Sequence, residues 1–338
     1  MAAPAPSKTT FTIGTRKSKL ALEQTELVRA ALKKTHPNYD FQIFSKETAG
    51  DLNTTIALKD FTSKNLWTEE LEELMIGGQV DFIVHSLKDV PTLLPDTCTL
   101  GPMMPREDNR DVLVVKQGLS FKSLEEIPAG SVVGTSSIRR TAQLARKYPH
   151  LKVQDIRGNI GTRLSKLDAE DSPYACIIIA AAGLLRLDLG DRITQYLDSK
   201  NGGMLYAVGQ GALGIEIRKD DTVLHEMLRQ IGHQETTYAC LAERNLLRTL
   251  EGGCSAPLGV ESEWVQSSDG LKKLRMRSVV VSVDGKQCAE VELDGVVDSP
   301  ESAEAFGVTL ANALVADGAG AILEEIQRKK IAKDNVSS

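Results

Sequence analysis

The chain contains little from which a metal centre or a disulfide framework could be built. It has five cysteines, an odd number, and they are scattered along the sequence without a single Cys-x-x-Cys pair. This spacing argues against a disulfide framework and against a structural zinc site. The five histidines show no metal-ligand spacing with one another or with cysteine. We therefore expect no metal.

Long apolar runs and targeting patterns are also missing. No stretch approaches the length of a membrane span, and residues 1–8 have neither an apolar secretory core nor an arginine-rich amphipathic pattern. We expect a cytoplasmic protein with no membrane partner. The net charge of −6 and the pI of about 5.6 argue against nucleic acid as a partner. Any anion site then has to come from arginines that are gathered locally.

Neither of the common nucleotide-binding loops is present. No Gly-x-x-x-x-Gly-Lys-[Ser/Thr] sequence occurs, which argues against ATP chemistry. The glycine-rich stretch 208–214 lacks the dinucleotide spacing. We interpret it as a crossing strand or hinge that returns the chain to its first domain.

What the chain does contain, up to about residue 230, is an alternation of short β-branched runs with helical patterns. Its 338 residues, 41% hydrophobic and 25% charged, suffice for two or three globular domains. The alternation predicts doubly wound α/β layers, whose ligands bind at the carboxyl ends of the strands. From about residue 260 the pattern predicts an antiparallel sheet, followed by a helix-rich tail from Pro300 to Ile331.

Charged residues follow the buried strand that is predicted at residues 81–84. The chain continues there as His85-Ser86-Leu87-Lys88-Asp89, and a proline turn comes next. Adjacent Lys88 and Asp89 would present charge at the carboxyl edge of a sheet, where α/β proteins commonly carry out their chemistry. The alternative is a solvated loop with a chance charge pair.

Arginines recur at the ends of other predicted strands. A strand that ends at residues 134–137, Gly-Thr-Ser-Ser, precedes a helix whose first turn holds Arg139 and Arg140. Hydroxyls and backbone N–H groups at a helix N-terminus bind anions, while the helix dipole disfavours cations there, so a bound anion would help to explain both arginines. Each arginine alone is more typical of a surface, but together they favour a polycarboxylate or phosphate site. The others are Arg16, Arg157, Arg163 and Arg186.

Cys254 lies in a segment crowded with turn residues. Gly252, Gly253 and Pro257 force a tight, exposed bend around it. The preceding stretch, 233–250, is predicted to be a helix, and the glycines fit its C-terminal cap. The negative end of a helix disfavours a thiolate, which favours an attachment point over an ordinary nucleophile. An unmodified loop cysteine is the alternative.

Together these segments closely resemble the porphobilinogen deaminase (hydroxymethylbilane synthase) family. The resemblance implies two doubly wound α/β lobes like those of type II periplasmic binding proteins, plus a C-terminal α+β domain with a small antiparallel sheet. The matching stretches run in family order over nearly the whole chain: 14–18, 84–92, 134–140, 157–166, 207–214 and 250–259. The implied domains are residues 10–107 with 212–230, residues 110–204, and residues 235–335.

The resemblance also implies a transferase of haem and tetrapyrrole biosynthesis. The family joins four porphobilinogen molecules head to tail, releases ammonia each time, and frees the linear tetrapyrrole hydroxymethylbilane with water. Its dipyrromethane cofactor would be bound by a thioether to Cys254, and Asp89 would be the catalytic acid that stabilises positive charge on pyrrole nitrogens. Lys88 would favour the ionised form of Asp89. The residues implied to bind acetate and propionate groups are Arg16, Ser18, Lys88, Thr135, Ser137, Arg139, Arg140, Arg157, Arg163 and Arg186.

One stretch departs from the family pattern, and two rival hypotheses stay open. Residues 60–67 stand where the family commonly has a glycine-rich stretch before Lys-x-Leu-Phe. A two-lobed anion-binding protein would share the fold without catalysis, although the Cys254 segment and the missing secretory pattern favour the enzyme. A cysteine acyltransferase would use His85 as base, but the helix end beside Cys254 argues against it. No interface motif is evident, so we expect a monomer.

Overall fold

The structure of the protein is a computed structural model, which describes residues 8–47, 68–250, 256–267 and 270–337. In chain order the described strands are β1 (Thr10–Arg16), β2 (Asp40–Lys46), β3 (Phe82–Ser86), β4 (Cys98–Leu100), β5 (Asp111–Val115), β6 (Val132–Gly134), β7 (Lys152–Gln154), β8 (Tyr174–Ala180), β9 (Gln195–Leu197), β10 (Leu213–Arg218), β11 (Leu258–Gln266), β12 (Lys272–Val281) and β13 (Cys288–Gly295). The described α-helices are α1 (Lys19–Thr35), α2 (Glu69–Ile76), α3 (Ile138–Lys147), α4 (Ile160–Asp168), α5 (Ala181–Leu185), α6 (Thr222–Arg229), α7 (Gln234–Thr249), α8 (Pro300–Ala316) and α9 (Ala319–Ser337).

The described chain divides into two compact units. The first consists of residues 8–47, 68–106 and 212–237, and the second of residues 107–211 with the described residues from 238 onward.

The first unit is an α/β lobe with a five-stranded sheet in the order β2-β1-β3-β10-β4. Strand β1 pairs in parallel with β2 and β3, whereas β10 pairs antiparallel with β3 and β4. The apolar run that predicted β3 is buried, with Phe82 and Ile83 at 0% exposure. The sequence predicts that Ser18 opens the first helix, and Ser18 does cap α1, because its side chain accepts a hydrogen bond from the backbone nitrogen of Ala21.

The second unit contains two sheets. Its five-stranded sheet has the order β7-β6-β8-β5-β9, with β6 parallel to β7 and β8 and with β5 antiparallel to its neighbours. The other sheet has three antiparallel strands, β11-β12-β13, and α8 and α9 pack on it around a core that includes Val260, Met276 and Leu310. Within this sheet the sequence predicts two strands, at residues 275–283 and 289–293, and the helical tail after them, but it does not predict β11.

The predicted fold class is confirmed: two α/β lobes and a C-terminal domain with a small antiparallel sheet. Both lobe sheets are mixed, with antiparallel strands beside the parallel ones. The boundaries of the three domains stay a prediction.

Among the described residues, no single helix is long and apolar enough to cross a membrane. Residues Pro300–Ala316 and Ala319–Lys329 pass that test of length and composition only as a pair, bent by 80°. Both helices bury side chains in the core around the three-stranded sheet, among them Leu314 and Ile322. Within the described ranges, no group of three or more His, Cys, Asp and Glu side chains is arranged to hold a metal ion.

Candidate functional site

In the first unit, the predicted residues lie at one edge of the sheet. Strands β1 and β3 run in parallel, with Ile13 opposite Phe82, so their carboxyl ends meet at the same edge. Arg16 is the last residue of β1, and Lys88 and Asp89 follow the end of β3. The fold therefore brings Arg16, Lys88 and Asp89 to the edge where the sequence places them.

Asp89 lies on a single 3-10 turn, Leu87–Asp89, directly after β3. The backbone nitrogen of Val90 closes the turn by donating to the carbonyl oxygen of Leu87 at 3.1 Å. Leu87 and Val90 are buried on either side, whereas Lys88 and Asp89 are only partly covered. Within the part of the chain that the structure describes, no group hydrogen-bonds to the Asp89 carboxylate, which leaves it available to a ligand.

Helix α1 is tied to the start of this turn. The Gln24 amide nitrogen donates to the Ser86 hydroxyl oxygen at 2.9 Å, and that hydroxyl lies 3.1 Å from the Gln24 amide oxygen. The Ser18 hydroxyl accepts one hydrogen bond when it caps α1, and its O–H is still able to donate. Its carboxylate-binding role stays a prediction.

In the second unit, two predicted arginines share one buried carboxylate. Arg139 Nη1 donates to Asp111 Oδ2 at 2.8 Å, and Arg140 Nη2 donates to Asp111 Oδ1 at 2.7 Å. Gln210 Nε2 donates to the same Oδ1 at 2.8 Å. Burial alone would raise the pKa of Asp111, but the charges of Arg139 and Arg140 outweigh it and hold that pKa well below its usual range.

This pairing changes the explanation of the two arginines. They do lie in the first turn of α3, but Asp111 supplies the counter-charge that the sequence argument assigned to a bound anion. Their role in binding substrate carboxylates stays a prediction. Asp111 and Gln210 are absent from the predicted set. The available signal was a charged residue at the start of the otherwise apolar strand β5.

Three arginines of the set each have a buried guanidinium nitrogen without a hydrogen-bond partner in the described structure: Arg140 Nε, Arg157 Nη1 and Arg186 Nε. Such donors cost stability when they are left unsatisfied, and a carboxylate is the acceptor that suits them best. Arg186 also donates from Nη2 to the carbonyl oxygen of Gly211 at 2.7 Å, and burial lowers its pKa. The unsatisfied nitrogens therefore favour an anionic ligand.

Hydroxyls and a further arginine lie along the same sheet edge of the second unit. Ser137 caps α3 by accepting from the backbone nitrogen of Arg140, and the Thr135 hydroxyl accepts from the backbone nitrogen of Ser137. Arg163, on α4, donates from Nε to the carbonyl oxygen of Gly158 at 2.7 Å. Because β6, β7 and β8 are parallel, the segments that follow them share one edge.

Two predictions fall outside the described residues: Cys254 as the attachment point, and the departure from the family pattern at residues 60–67.

Comparison with known proteins adds to this geometry. Residues 11–226 match the family model "Porphobilinogen deaminase, dipyromethane cofactor binding domain", and residues 237–316 match "Porphobilinogen deaminase, C-terminal domain". The porphobilinogen deaminase of Schizosaccharomyces pombe is 48% identical over 336 residues, which cover 98% of this chain and 99% of the relative. That of Yarrowia lipolytica is 51% identical over 324 residues, which cover 94% of each chain. Among solved structures, the periplasmic VFT2 domain of Bordetella pertussis BvgS aligns with a TM-score of 0.39 at 14% identity, covering 66% of this chain and 86% of that one.

Proposed function

The chain belongs to the porphobilinogen deaminase family and is a transferase of tetrapyrrole biosynthesis, and on that premise we propose which of its residues carry the reaction. The reaction is the stepwise head-to-tail condensation of four porphobilinogen molecules, with release of ammonia, followed by hydrolytic release of hydroxymethylbilane. One observation carries the assignment of roles. The Asp89 carboxylate lies at the carboxyl edge of a sheet without a hydrogen-bond partner in the described structure, so it is free to act on a substrate.

The arginine set suits a polycarboxylate cofactor. Dipyrromethane carries acetate and propionate groups, and the unsatisfied nitrogens of Arg140, Arg157 and Arg186 are donors that such groups can satisfy. We assign its covalent attachment to the Cys254 thiol, through a thioether. When bound, it supplies the pyrrole carbon to which the first porphobilinogen is joined.

Arginines and hydroxyls orient the substrate through its carboxylates. A guanidinium group can donate two parallel hydrogen bonds to one carboxylate, which fixes orientation as well as charge. We assign this role to the ten residues that the family resemblance implies: Arg16, Ser18, Lys88, Thr135, Ser137, Arg139, Arg140, Arg157, Arg163 and Arg186. Since each added pyrrole brings two more carboxylates, a large cationic set is consistent with an elongating chain.

Asp89 acts at the pyrrole nitrogen. Its carboxylate accepts a hydrogen bond from the ring N–H and offsets the positive charge that develops there as ammonia leaves. The same oxygen can hold a proton during attack by the next ring. The turn supports this role because buried Leu87 and Val90 fix the backbone on both sides of Asp89.

Porphobilinogen is the substrate that family membership implies. The monomeric state and the cytoplasmic location that the sequence suggests stay predictions. Light scattering coupled to size-exclusion chromatography tests the first, and fractionation of cells that express the chain tests the second.

Ammonia release by an Asp89→Asn variant tests the proposed catalytic role. The amide keeps the shape of the side chain but removes the charge, so we expect turnover to fall about a hundredfold or more with the fold retained by circular dichroism. Asp96→Asn is the matched control, because Asp96 is exposed in the same unit and should release ammonia normally. Near-normal ammonia release by Asp89→Asn would rule out the role. A wild-type protein that binds porphobilinogen but releases no ammonia would instead be the anion-binding protein.

A further inference from the structure

A buried polar pair joins β3 to β10 just before the Asp89 turn. His85 Nε2 lies 3.1 Å from Glu216 Oε2, and the two side chains are 3% and 0% exposed. An ionised carboxylate only accepts, so the imidazole donates from Nε2 to Glu216. On the face of the sheet that carries the pair, Ile83 lies opposite Glu216 and two residues before His85, and its apolar side chain is fully buried. The proposed chemistry uses neither His85 nor Glu216.

The strand pairing continues from this bond into the turn. Strand β10 runs antiparallel to β3, with Gly214 opposite His85, so the bond from His85 to Glu216 crosses the pair diagonally. Beyond the end of β3, the backbone nitrogen of Leu87 donates to the carbonyl oxygen of Ala212 at 3.0 Å. The first residue of the turn is thus hydrogen-bonded to the chain that enters β10.

The side chains that flank Asp89 also rest on β10. A Cβ atom at Gly214 would lie 3.2 Å from Leu87 Cδ1 and 3.3 Å from Val90 Cγ2, which is closer than ordinary van der Waals contact. An alanine here would push the Leu87 and Val90 side chains away by a few tenths of an ångström, so the glycine lets β10 approach the turn closely. Because the Asp89 carboxylate has no hydrogen-bond partner among the described residues, the backbone of the turn sets its position.

Burying His85 and Glu216 costs desolvation free energy that the hydrogen bond between them does not fully recover. Among the described residues, Glu72 on α2 and Cys98 on β4 are titratable groups that face the pair. One carboxyl oxygen each of Glu72 and Glu216 is buried without a partner in the described structure. Burial and the nearby charge of Glu216 raise the pKa of Glu72. Replacing a buried ionisable pair by apolar residues of equal volume is often neutral or even stabilising. A role in fixing one arrangement of the strand end accounts for that cost.

We propose that His85 and Glu216 are positioning residues for Asp89, which act through the hydrogen bond that locks β3 to β10 before the turn. The inference rests on the proposed catalytic role of Asp89. Loss of the bond lets the end of β3 shift against β10, and the turn shifts with it. Displacing a catalytic group by about 1 Å can cost on the order of a hundredfold in rate.

Two substitutions of His85 separate the effect of its hydrogen bond to Glu216 from the effect of side-chain volume. His85→Leu removes the donor, whereas His85→Gln keeps an N–H at nearly the same reach as Nε2. In the cofactor-loaded enzyme we expect kcat to fall at least about tenfold in His85→Leu and less than about threefold in His85→Gln, with KM nearly unchanged in both. Leu32→Ala is the matched control, because Leu32 is fully buried in the same unit. Leu32→Ala should lower the melting temperature about as much as His85→Leu does and leave kcat within about twofold of the wild-type value.

A double-mutant cycle with Asp89→Glu tests whether the effect passes through Asp89. Its longer side chain already misplaces the carboxylate, so His85→Leu should cost less than about threefold in that background. Equal losses in both backgrounds, or a control that loses as much kcat as His85→Leu, would overturn the positioning role. Full activity of Asp89→Glu would also overturn it, whereas near-normal ammonia release by Asp89→Asn would count against the role of Asp89 itself. Should His85→Leu not fold, Gly214→Ala displaces Leu87 and Val90 and is expected to show the same loss of kcat and the same dependence on Asp89.

Discussion

Asp111 accepts a hydrogen bond from each of two consecutive arginines, at 2.8 Å from Arg139 and 2.7 Å from Arg140. The carboxylate is completely buried, and the arginine side chains are 5% and 7% exposed. One internal anion therefore holds two cations at the beginning of α3, against the direction that the helix dipole favours. Arg140 Nε is buried without a hydrogen-bond partner in the described structure and is therefore left for a ligand.

Replacement of Asp111 by asparagine should destabilise the protein strongly. Removing one partner leaves buried guanidinium charge uncompensated, and we expect the free energy of unfolding to fall by about 3–5 kcal/mol in urea titrations. Asp294→Asn is the control, since Asp294 pairs with Arg275 on a partly exposed sheet surface and should cost at most about 1 kcal/mol. Equal losses in the two variants would contradict the anchoring role of Asp111.

The buried Glu72 should make stability depend on pH in a defined direction. Burial raises its pKa in the folded protein. Glu72 therefore contributes fully to stability at pH values below its pKa in the unfolded chain. That contribution is lost as the pH rises through its pKa in the folded protein. Glu72→Gln cannot ionise, so its stability relative to wild type should increase as the pH is raised from about 5 to about 8. Glu73→Gln, at the exposed neighbouring position, should show no such trend in urea titrations at each pH. A pH-independent difference for Glu72→Gln would refute the expectation.

Arg157 should contribute directly to binding carboxylates. Its Nη1 is buried without a partner in the described structure, so its substitution removes a donor that a ligand would satisfy. A hydrogen bond between charged groups contributes about 1.5–3 kcal/mol, and Arg157→Leu should therefore raise KM for porphobilinogen about tenfold to a hundredfold or reduce cofactor content. Arg146→Leu, an exposed position on α3, should change neither quantity. Unchanged kinetics with normal cofactor loading in Arg157→Leu would count against the carboxylate-binding role.

Local patterns predict much of the fold. The cap at Ser18 and the apolar run of β3 identify their elements, because capping and burial act over a few residues. The antiparallel directions of β5 and β10 were not predicted, since they depend on where the chain crosses over rather than on strand composition. Strand β11 was missed because its sequence follows the turn-rich segment around Cys254.

In the site, too, the sequence predicts where a residue lies in its own element but not which distant residue it contacts. The sequence places Arg139 and Arg140 in the first turn of a helix, but Asp111 lies 28 residues before Arg139, and no local spacing links them. The pair formed by His85 and Glu216 spans 131 residues. The local sign in both cases is a charged residue in a mostly apolar strand, Asp111 at the start of β5 and Glu216 within β10. Such a residue predicts a buried partner without saying which residue it is.

The intact mass of the protein tests the attachment of the cofactor at Cys254 most directly. The wild-type mass should exceed the sequence mass by two linked pyrrole units, and Cys254→Ala should lack that excess and the activity. Cys288→Ala, at a partly buried cysteine on β13, should keep both. A wild-type protein that is fully active at the unmodified sequence mass, or a Cys254→Ala variant that retains the excess, would contradict the proposed attachment.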